Sequence, residues 1–395
     1  MRILSISAQK PNSTGSGIYL TQLMEALGQL GHAQGCLAGI ATGESPSLPK
    51  DASFYPVHYE GESLPFPVLG MSDEMPYAST RYRDMTPAML TSFRQVFGQA
   101  LQQAVADFQP DLILCHHLYL LTALVRQLFP QHKVWGICHG TDLRQLQSHS
   151  LCQKEILTAI PRLDGIFCLH SQQQQEVEEM FSLPKGKAQV IGSGYNQTIF
   201  RRLPFVQRQP KRLLYAGKIS RQKGVFSLLD AMSLIKADIS LSLAGGFGNQ
   251  DYQQAKALAL SCGKKVEFCG MLSQQQLAQA MNESRGFILP SFSEGLPLVL
   301  AEAMACGCRT ICTDLPGLAP WLDQKIPGHQ VRLVPLPPMQ GIGEPKAEGL
   351  PAFAQRLAEA IAQTMAEEGP YAPDLSQLTW AGVAKTLLQA VGCAK

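Results

Sequence analysis

The sequence predicts a chain of two doubly wound α/β domains, and three observations carry that expectation. Short apolar runs alternate with amphipathic helical patterns from end to end, the signature of parallel α/β architecture. The 395 residues, 45% of them hydrophobic and 16% charged, suit two domains of ordinary size. The alternation breaks once, around residues 192–210, where Gly192, Gly194, Pro204 and Pro210 mingle with Arg201, Arg202, Arg208 and Lys211. The domains are therefore expected at 1–200 and 201–375, with residues 376–395 as a closing helix.

In the first half, strands are expected at 2–7, 36–41, 112–115, 134–138, 166–169 and 188–191. The first helix is expected at 18–30, where Leu20, Leu23, Leu27 and Leu30 form an apolar stripe. Residues 43–87 are rich in Pro, Gly and aromatic side chains with little periodicity. They read as a long excursion near the active cleft, because long loops in compact domains usually serve function. The second half repeats the alternation, with strands at 212–216, 239–243, 265–268, 286–289 and 309–312. Helices fall between them at 225–235, 252–261, 274–281 and 297–305. Two closing helices follow a Pro-rich stretch, near 352–367 and 380–391. Such domains place ligand sites at the carboxyl ends of their strands, and a cleft between two of them is the default site.

Charge and cysteine usage exclude several classes. The net charge of +2 does not suit a general nucleic-acid binder. Residues 1–200 sum to −3 and residues 201–395 to +5, an excess that fits a small anionic ligand in the second half. The 11 cysteines are odd in number and fall mostly in apolar runs, which points to reduced, buried thiols in the cytoplasm. Cys306, Cys308 and Cys312 lack a matching second pair, so no metal site is expected. The opening Met1-Arg2-Ile3-Leu4-Ser5-Ile6-Ser7 reads as a core strand, not a leader. No run of 18 apolar residues is present, so at most peripheral membrane contact is expected.

The chemistry concentrates in a few loops. In the run from Pro290 to Met304, Glu294 and Glu302 stand eight apart around Pro297, whose fixed φ suits a first helical turn. The amides of Leu298 and Val299 then leave a helix N-terminus, which attracts an anion. A helix end that wants a phosphate, flanked by carboxylates that want hydroxyls, suits a sugar nucleotide. Lys218 and Lys223 lie on a glycine-bounded loop after a strand and can place ammonium groups on a diphosphate. The loop Thr14-Gly15-Ser16-Gly17 precedes the first helix, where glycines let backbone approach a ligand. Its dinucleotide fingerprint fails, because position 20 is Leu. His139-Gly140-Thr141-Asp142 follows a strand, where reactive groups sit; a histidine bonded inside a turn capped by Asp142 is the plainer alternative. His116 and His117 also end a strand, with one of them expected to face the cleft, and Ser171 reads as a helix cap. The Walker pattern and the Gly-x-Ser-x-Gly elbow are both absent.

Together these residues resemble the retaining nucleotide-sugar glycosyltransferases of family 4, which have the GT-B fold: two Rossmann-like domains facing across a cleft, with a C-terminal helix crossing back to the first. Gly31-His32 follows the first helix as is common there. Pro110-Asp111-Leu112-Ile113, Gly194-Tyr195-Asn196, Lys223-Gly224 and Glu302-Ala303-Met304-Ala305-Cys306-Gly307 are similar to family segments, and Glu294 and Glu302 form its Glu-x7-Glu motif. The resemblance implies that Lys218 and Lys223 neutralise the diphosphate leaving group and that Leu298 and Val299 donate amides to it. It implies that Glu302 holds the ribose and that Glu294, with backbone at Gly295 and Leu296, holds the donor sugar. Gly15 and Gly17 would close over the diphosphate, with His139 beside the transferred sugar. It implies retention without a metal or other cofactor, a UDP-sugar being the favoured co-substrate. Two departures stand out: Lys218 replaces the usual Arg, and Leu315-Pro316-Gly317-Leu318 replaces a usual double glycine followed by Glu.

Acceptors of that family usually bind domain one, and Arg81, Arg83 and Thr141 are the candidates for holding one, whether small molecule, glycan or glycolipid. Guanidinium groups suit an anionic acceptor, although arginines on a solvated loop are an equal reading. Two other functions stay open, a sugar-nucleotide epimerase of the same fold and a non-catalytic homologue that binds nucleotide sugars.

Overall fold

The computed structural model describes residues 1–72, 75–246, 250–294, 297–326, 328–341, 343–369 and 371–392. The chain divides into two compact units, Met1–Ser193 joined by the segment from Trp380, and Gly194–Thr379. The boundary thus falls at 193/194 rather than at 200, and the returning segment starts at 380 rather than 376.

The first unit is built on seven parallel strands: β1 (Arg2–Ser7), β2 (Ala33–Ala41), β3 (Ser53–Tyr59), β4 (Leu112–His116), β5 (Val134–Ile137), β6 (Gly165–Cys168) and β7 (Ala188–Val190), in the order β3-β2-β1-β4-β5-β6-β7. β1 and β4 are almost wholly buried, as parallel strands covered on both faces must be. Helices α1 (Gly15–Gln29), α2 (Pro87–Phe108), α3 (Leu120–Leu128), α4 (Thr141–Ser148), α5 (Gln153–Ala159) and α6 (Ser171–Met180) cover them. α2 starts with Thr86 accepting from Met89 N and with Pro87 in its first turn. Its Phe93, Phe97, Leu101 and Phe108 are buried in the core. The excursion expected over 43–87 is corrected in part, since residues 53–59 are strand β3. That strand carries Pro56, which has no N–H to give a ladder, and β3 accordingly lies at the sheet edge.

The second unit repeats the plan with six parallel strands: β8 (Gln209–Ala216), β9 (Ser240–Ala244), β10 (Val266–Gly270), β11 (Ser284–Leu289), β12 (Arg309–Asp314) and β13 (Arg332–Pro335), in the order β10-β9-β8-β11-β12-β13. Its helices are α7 (Val225–Leu234), α8 (Gln250–Ser261), α9 (Gln274–Glu283), α10 (Leu298–Ala305), α11 (Leu318–Lys325) and α12 (Leu350–Ala366). Leu228, Leu229 and Met232 of α7 and Phe353, Leu357 and Ile361 of α12 are buried in one core. A last helix, α13 (Trp380–Ala390), belongs to the first unit and packs on α1, where Trp380 meets Tyr19 edge-to-face at 4.8 Å.

In both sheets the strand order reverses beside the first strand of the unit, between β1 and β4 and between β8 and β11. Crevices open at such switch points beyond the carboxyl ends of the strands. Among the described residues no helix is long and apolar enough to cross a membrane, and no group of three or more His, Cys, Asp or Glu side chains could hold a metal ion. The described cysteines are free thiols.

Candidate functional site

In the second unit, two loops meet at the switch point. Residues 217–224 follow β8 and end on Gly224, which caps α7 at φ +70°. A Cβ on Gly224 would stand 2.0 Å from the Pro290 carbonyl oxygen, so only glycine lets this loop press against the one after β11. Phe292 N donates to Gln222 O at 3.1 Å across the same seam. Lys223 Nζ pairs with Glu294 Oε2 at 2.7 Å and donates to Ser293 O at 3.3 Å, and Ser291 Oγ donates to Glu294 Oε1 at 2.7 Å. Glu294 is thus held from both oxygens. An ammonium has three N–H groups, and among the described residues these contacts use two of Lys223's, leaving one for a ligand. Lys218 is exposed at the strand end, its carbonyl accepting from the buried Tyr215 hydroxyl at 2.7 Å.

α10 begins at Leu298 with Pro297 as its N-cap, one position later than the sequence placed it. The amides of Leu298 and Val299 in its first turn have no intrahelical acceptor, whereas Leu300 N donates to Pro297 O at 2.9 Å. Glu302 lies on the second turn, and burial pushes its carboxyl up to about 7. No cationic side chain pairs with it among the described residues. A desolvated carboxyl without a counter-charge is ready to accept hydroxyl hydrogens. Gly295 and Leu296, assigned to the donor sugar, lie outside the described residues. The Arg221 side chain turns elsewhere, to Asp251 at 3.7 Å and Gln254 at 2.6 Å on α8.

In the first unit, the residues after β1, β4 and β5 converge. Thr14 caps α1 by accepting from Gly17 N at 3.1 Å. A Cβ on Gly17 would lie 2.6 Å from Lys10 O, so its close approach is to the chain itself, whereas Gly15 faces open space. His139 stacks on His116 with ring centres 5.3 Å apart, and His139 Nε2 lies 3.2 Å from His116 Nδ1. Tyr19 meets His139 edge-to-face, and His117 lies 4.7 Å from it. Only one of the bonded nitrogens of His116 and His139 carries the hydrogen. His116 Nε2 is buried without a partner. An orphaned N–H is rarer in folded proteins than an unfilled lone pair. We therefore assign the hydrogen to His116 Nδ1, which makes His139 Nε2 the acceptor and leaves the hydrogen of His139 on Nδ1. Burial favours the neutral rings, lowering His116 to about 3 and His139 well below its ordinary range.

Both His116 and His117 therefore join the cluster, where the sequence expected one. His117 Nε2 donates to Gln9 Oε1 at 3.1 Å, and Ser16 Oγ donates to the same oxygen at 3.3 Å, which ties the glycine loop to the histidines. Asp142 is fully buried and accepts from Leu118 N at 2.8 Å and from His139 N at 3.3 Å, so it joins two loops rather than only capping its own turn. Thr141 is the first residue of α4 and is half-buried. Arg81 and Arg83 are exposed, and Arg81 pairs with Asp84 at 2.6 Å. Tyr82 between them is buried against Tyr119, two residues beyond His117. The cap of α6 is His170, whose Nδ1 accepts from Gln173 N, and not Ser171. Sequence reasoning missed Gln9, Tyr19 and Lys10. Lys10 is a largely buried ammonium paired with Glu44 at 2.7 Å. Lys10 and Gln9 follow β1 directly, and that position was their one signal.

Comparison with known proteins adds the same pairing of domains. Residues 13–198 match the family described as Glycosyltransferase Family 4, and residues 196–328 match Glycosyl transferases group 1. The chain has the fold and the domain pair of a GT-B glycosyltransferase. This GT-B chain is 28% identical to the uncharacterized glycosyltransferase MJ1607 of Methanocaldococcus jannaschii over 39% of its own length and 43% of that protein's. It is 24% identical to the glycogen synthase of Mycobacterium tuberculosis over 80% and 79% of the two lengths. The crystal structure of Anabaena HepE in complex with UDP and glucose superposes on the GT-B chain with a TM-score of 0.64, at 13% identity and full coverage of both chains, which shows a shared fold.

Proposed function

We propose that the chain is a retaining, metal-independent hexosyltransferase that moves a sugar from a nucleotide diphosphate, a UDP-sugar before other donors, to a hydroxyl acceptor. One observation carries this reading. Glu302, a carboxyl raised to about 7 and without a cation among the described residues, stands eight residues beyond Glu294, which is ion-paired to Lys223 of the lysine loop. Glu302 accepts from the ribose diol. Lys218, the spare N–H of Lys223 and the amides of Leu298 and Val299 take the diphosphate. Glu294, oriented by Lys223 and Ser291, accepts from donor-sugar hydroxyls, next to Gly295 and Leu296.

Departure of the nucleotide builds negative charge on the diphosphate and positive charge on the anomeric carbon. Fixed ammonium groups and a helix N-terminus stabilise the first of these without reorganising, the electrostatic part of catalysis. Among the residues of the first unit, His139 offers its Nδ1–H to a sugar hydroxyl, Gly15 and Gly17 meet the diphosphate, and Arg81, Arg83 and Thr141 hold the acceptor. UDP bound to a protein of the same fold supports the donor class.

The test is an assay of UDP release from UDP-hexoses with and without hydroxyl acceptors, with the anomeric configuration of the product read by NMR. Release only with acceptor, unaffected by a chelator and with the donor's configuration kept, is expected. Isomerised sugar without release, or inverted product, contradicts the reading. His139→Ala is expected to lower turnover about 10-fold or more through one lost hydrogen bond at the reacting sugar.

A further inference from the structure

At the amino ends of the second unit's strands, opposite the lysine and glutamate loops, lies a cavity of about 350 Å³ whose lining includes Arg202, Arg208, Arg285 and Arg309. No acidic side chain is among the described residues that line it. Among the described residues the one acid that pairs with any of these four is Glu367, which accepts from Arg309 at 2.8 Å and is shared with Arg332. The other contacts are to backbone carbonyls. Arg208 donates to Cys306 O and Gly307 O at the end of α10, Arg285 to Met365 O and Glu367 O, and Arg309 to Glu368 O and Gly369 O. Carbonyls fill N–H groups but do not cancel charge, so four guanidinium groups face one cavity, with one shared carboxylate paired to them among the described residues.

The cavity is built rather than incidental. Asn282 is buried, accepts from Leu203 N at 2.8 Å and donates to Arg201 O at 2.9 Å, so it clamps the backbone on both sides of Arg202. Gly307 sits at φ +83°, and a Cβ there would stand 2.7 Å from Arg202 Nε, so the guanidinium lies over a glycine. Arg309 is only 7% exposed and lies over the Tyr371 ring. Arg202 has no hydrogen bond or ion pair among the described residues. Burial lowers the pKa of Arg208, and the nearby charges of Arg202 and Arg285 lower it further, the mark of like charges held together.

We propose that this cavity is a second ligand site, for a phosphate ester or diphosphate, separate from the donor-binding loops of the same unit. The ligand class follows from the charge. A multiply charged anion suits the surplus, and a phosphate group offers three acceptor oxygens to planar guanidinium forks. That phosphate is either on a soluble molecule or on an anionic lipid headgroup.

The experiment is calorimetric titration of the full chain with inorganic pyrophosphate in the presence of excess UDP, which fills the donor loops. Parallel sedimentation uses phosphatidylglycerol–phosphatidylcholine vesicles and vesicles of phosphatidylcholine alone. Pyrophosphate binding is expected to weaken about 10-fold or more in Arg202→Glu, whose side chain is exposed, and much less in Arg202→Lys, with unchanged thermal melts. Binding of pyrophosphate alone assigns the site to a soluble phosphate, and Arg202-dependent sedimentation with the anionic vesicles assigns it to a headgroup. No binding of either probe, or binding that Arg202→Glu and Arg202→Ala leave intact, overturns the proposal.

Discussion

Glu302→Gln is expected to weaken UDP binding about 10- to 100-fold, since a hydrogen bond to a charged acceptor contributes roughly 1.5–3 kcal/mol. The same substitution is expected to stabilise the protein at alkaline pH. The carboxyl titrates at about 7 in the folded chain and near 4.5 ordinarily, so the folded state holds its proton more tightly. Its contribution to stability is therefore full below pH 4.5 and is lost as pH rises toward 7. Above that, the ionised group costs on the order of 3 kcal/mol. Thermal melts should show Glu302→Gln above wild type at pH 8, with the gain shrinking at pH 5. Wild-type UDP affinity should fall as pH drops below 7, because a protonated carboxyl must ionise before it can accept from both ribose hydroxyls. A glutamine variant that loses stability at pH 8, or that keeps full affinity, would remove Glu302 from the ribose.

Gly224→Ala is the second large effect. The added methyl would stand 2.0 Å from Pro290 O and 2.8 Å from Pro290 C, on a backbone with φ +70° that side chains rarely adopt. Backbone cannot yield as a flexible side chain can, so the two loops must part. A loss of about 3–5 kcal/mol is expected, read as a fall of roughly 6–20 °C in melting temperature for a unit of this size. The displaced seam carries Lys223 and Glu294, so nucleotide affinity should fall with it. Gly15→Ala is the control: no atom lies within 4 Å of its Cβ, and its melting temperature should stay within about 2 °C of wild type. Equal melts for the two variants would mean that the loops do not press together at Gly224.

Much of this arrangement was legible in the chain. β1 was readable to the residue because a short apolar run ends in a glycine-containing loop. The loop from Lys218 to Gly224 and the helix after Pro297 were legible because turn and cap residues punctuate them. β3 was hidden, since Pro56 and scattered aromatic residues mask an edge strand inside a stretch that looks irregular. The three-histidine cluster was only half visible. His116, His117 and His139 are adjacent only because β4 and β5 are neighbours, and strand order is not written in local periodicity. The Lys223–Glu294 pair joins residues 71 apart and turns a presumed phosphate ligand into one that also orients a carboxylate. The arginine cavity gathers Arg202, Arg208, Arg285 and Arg309 from three segments, which appeared in the sequence only as a basic linker and unremarkable strand ends.

The central claim is that the loops after β8 and β11 hold a nucleotide diphosphate. A crystal structure of the chain with UDP tests it most directly. The ribose hydroxyls should lie within hydrogen-bond distance of the Glu302 carboxylate, with the diphosphate over the first turn of α10 and within reach of Lys218 and Lys223. UDP bound away from α10, or with its ribose turned from Glu302, would contradict the account.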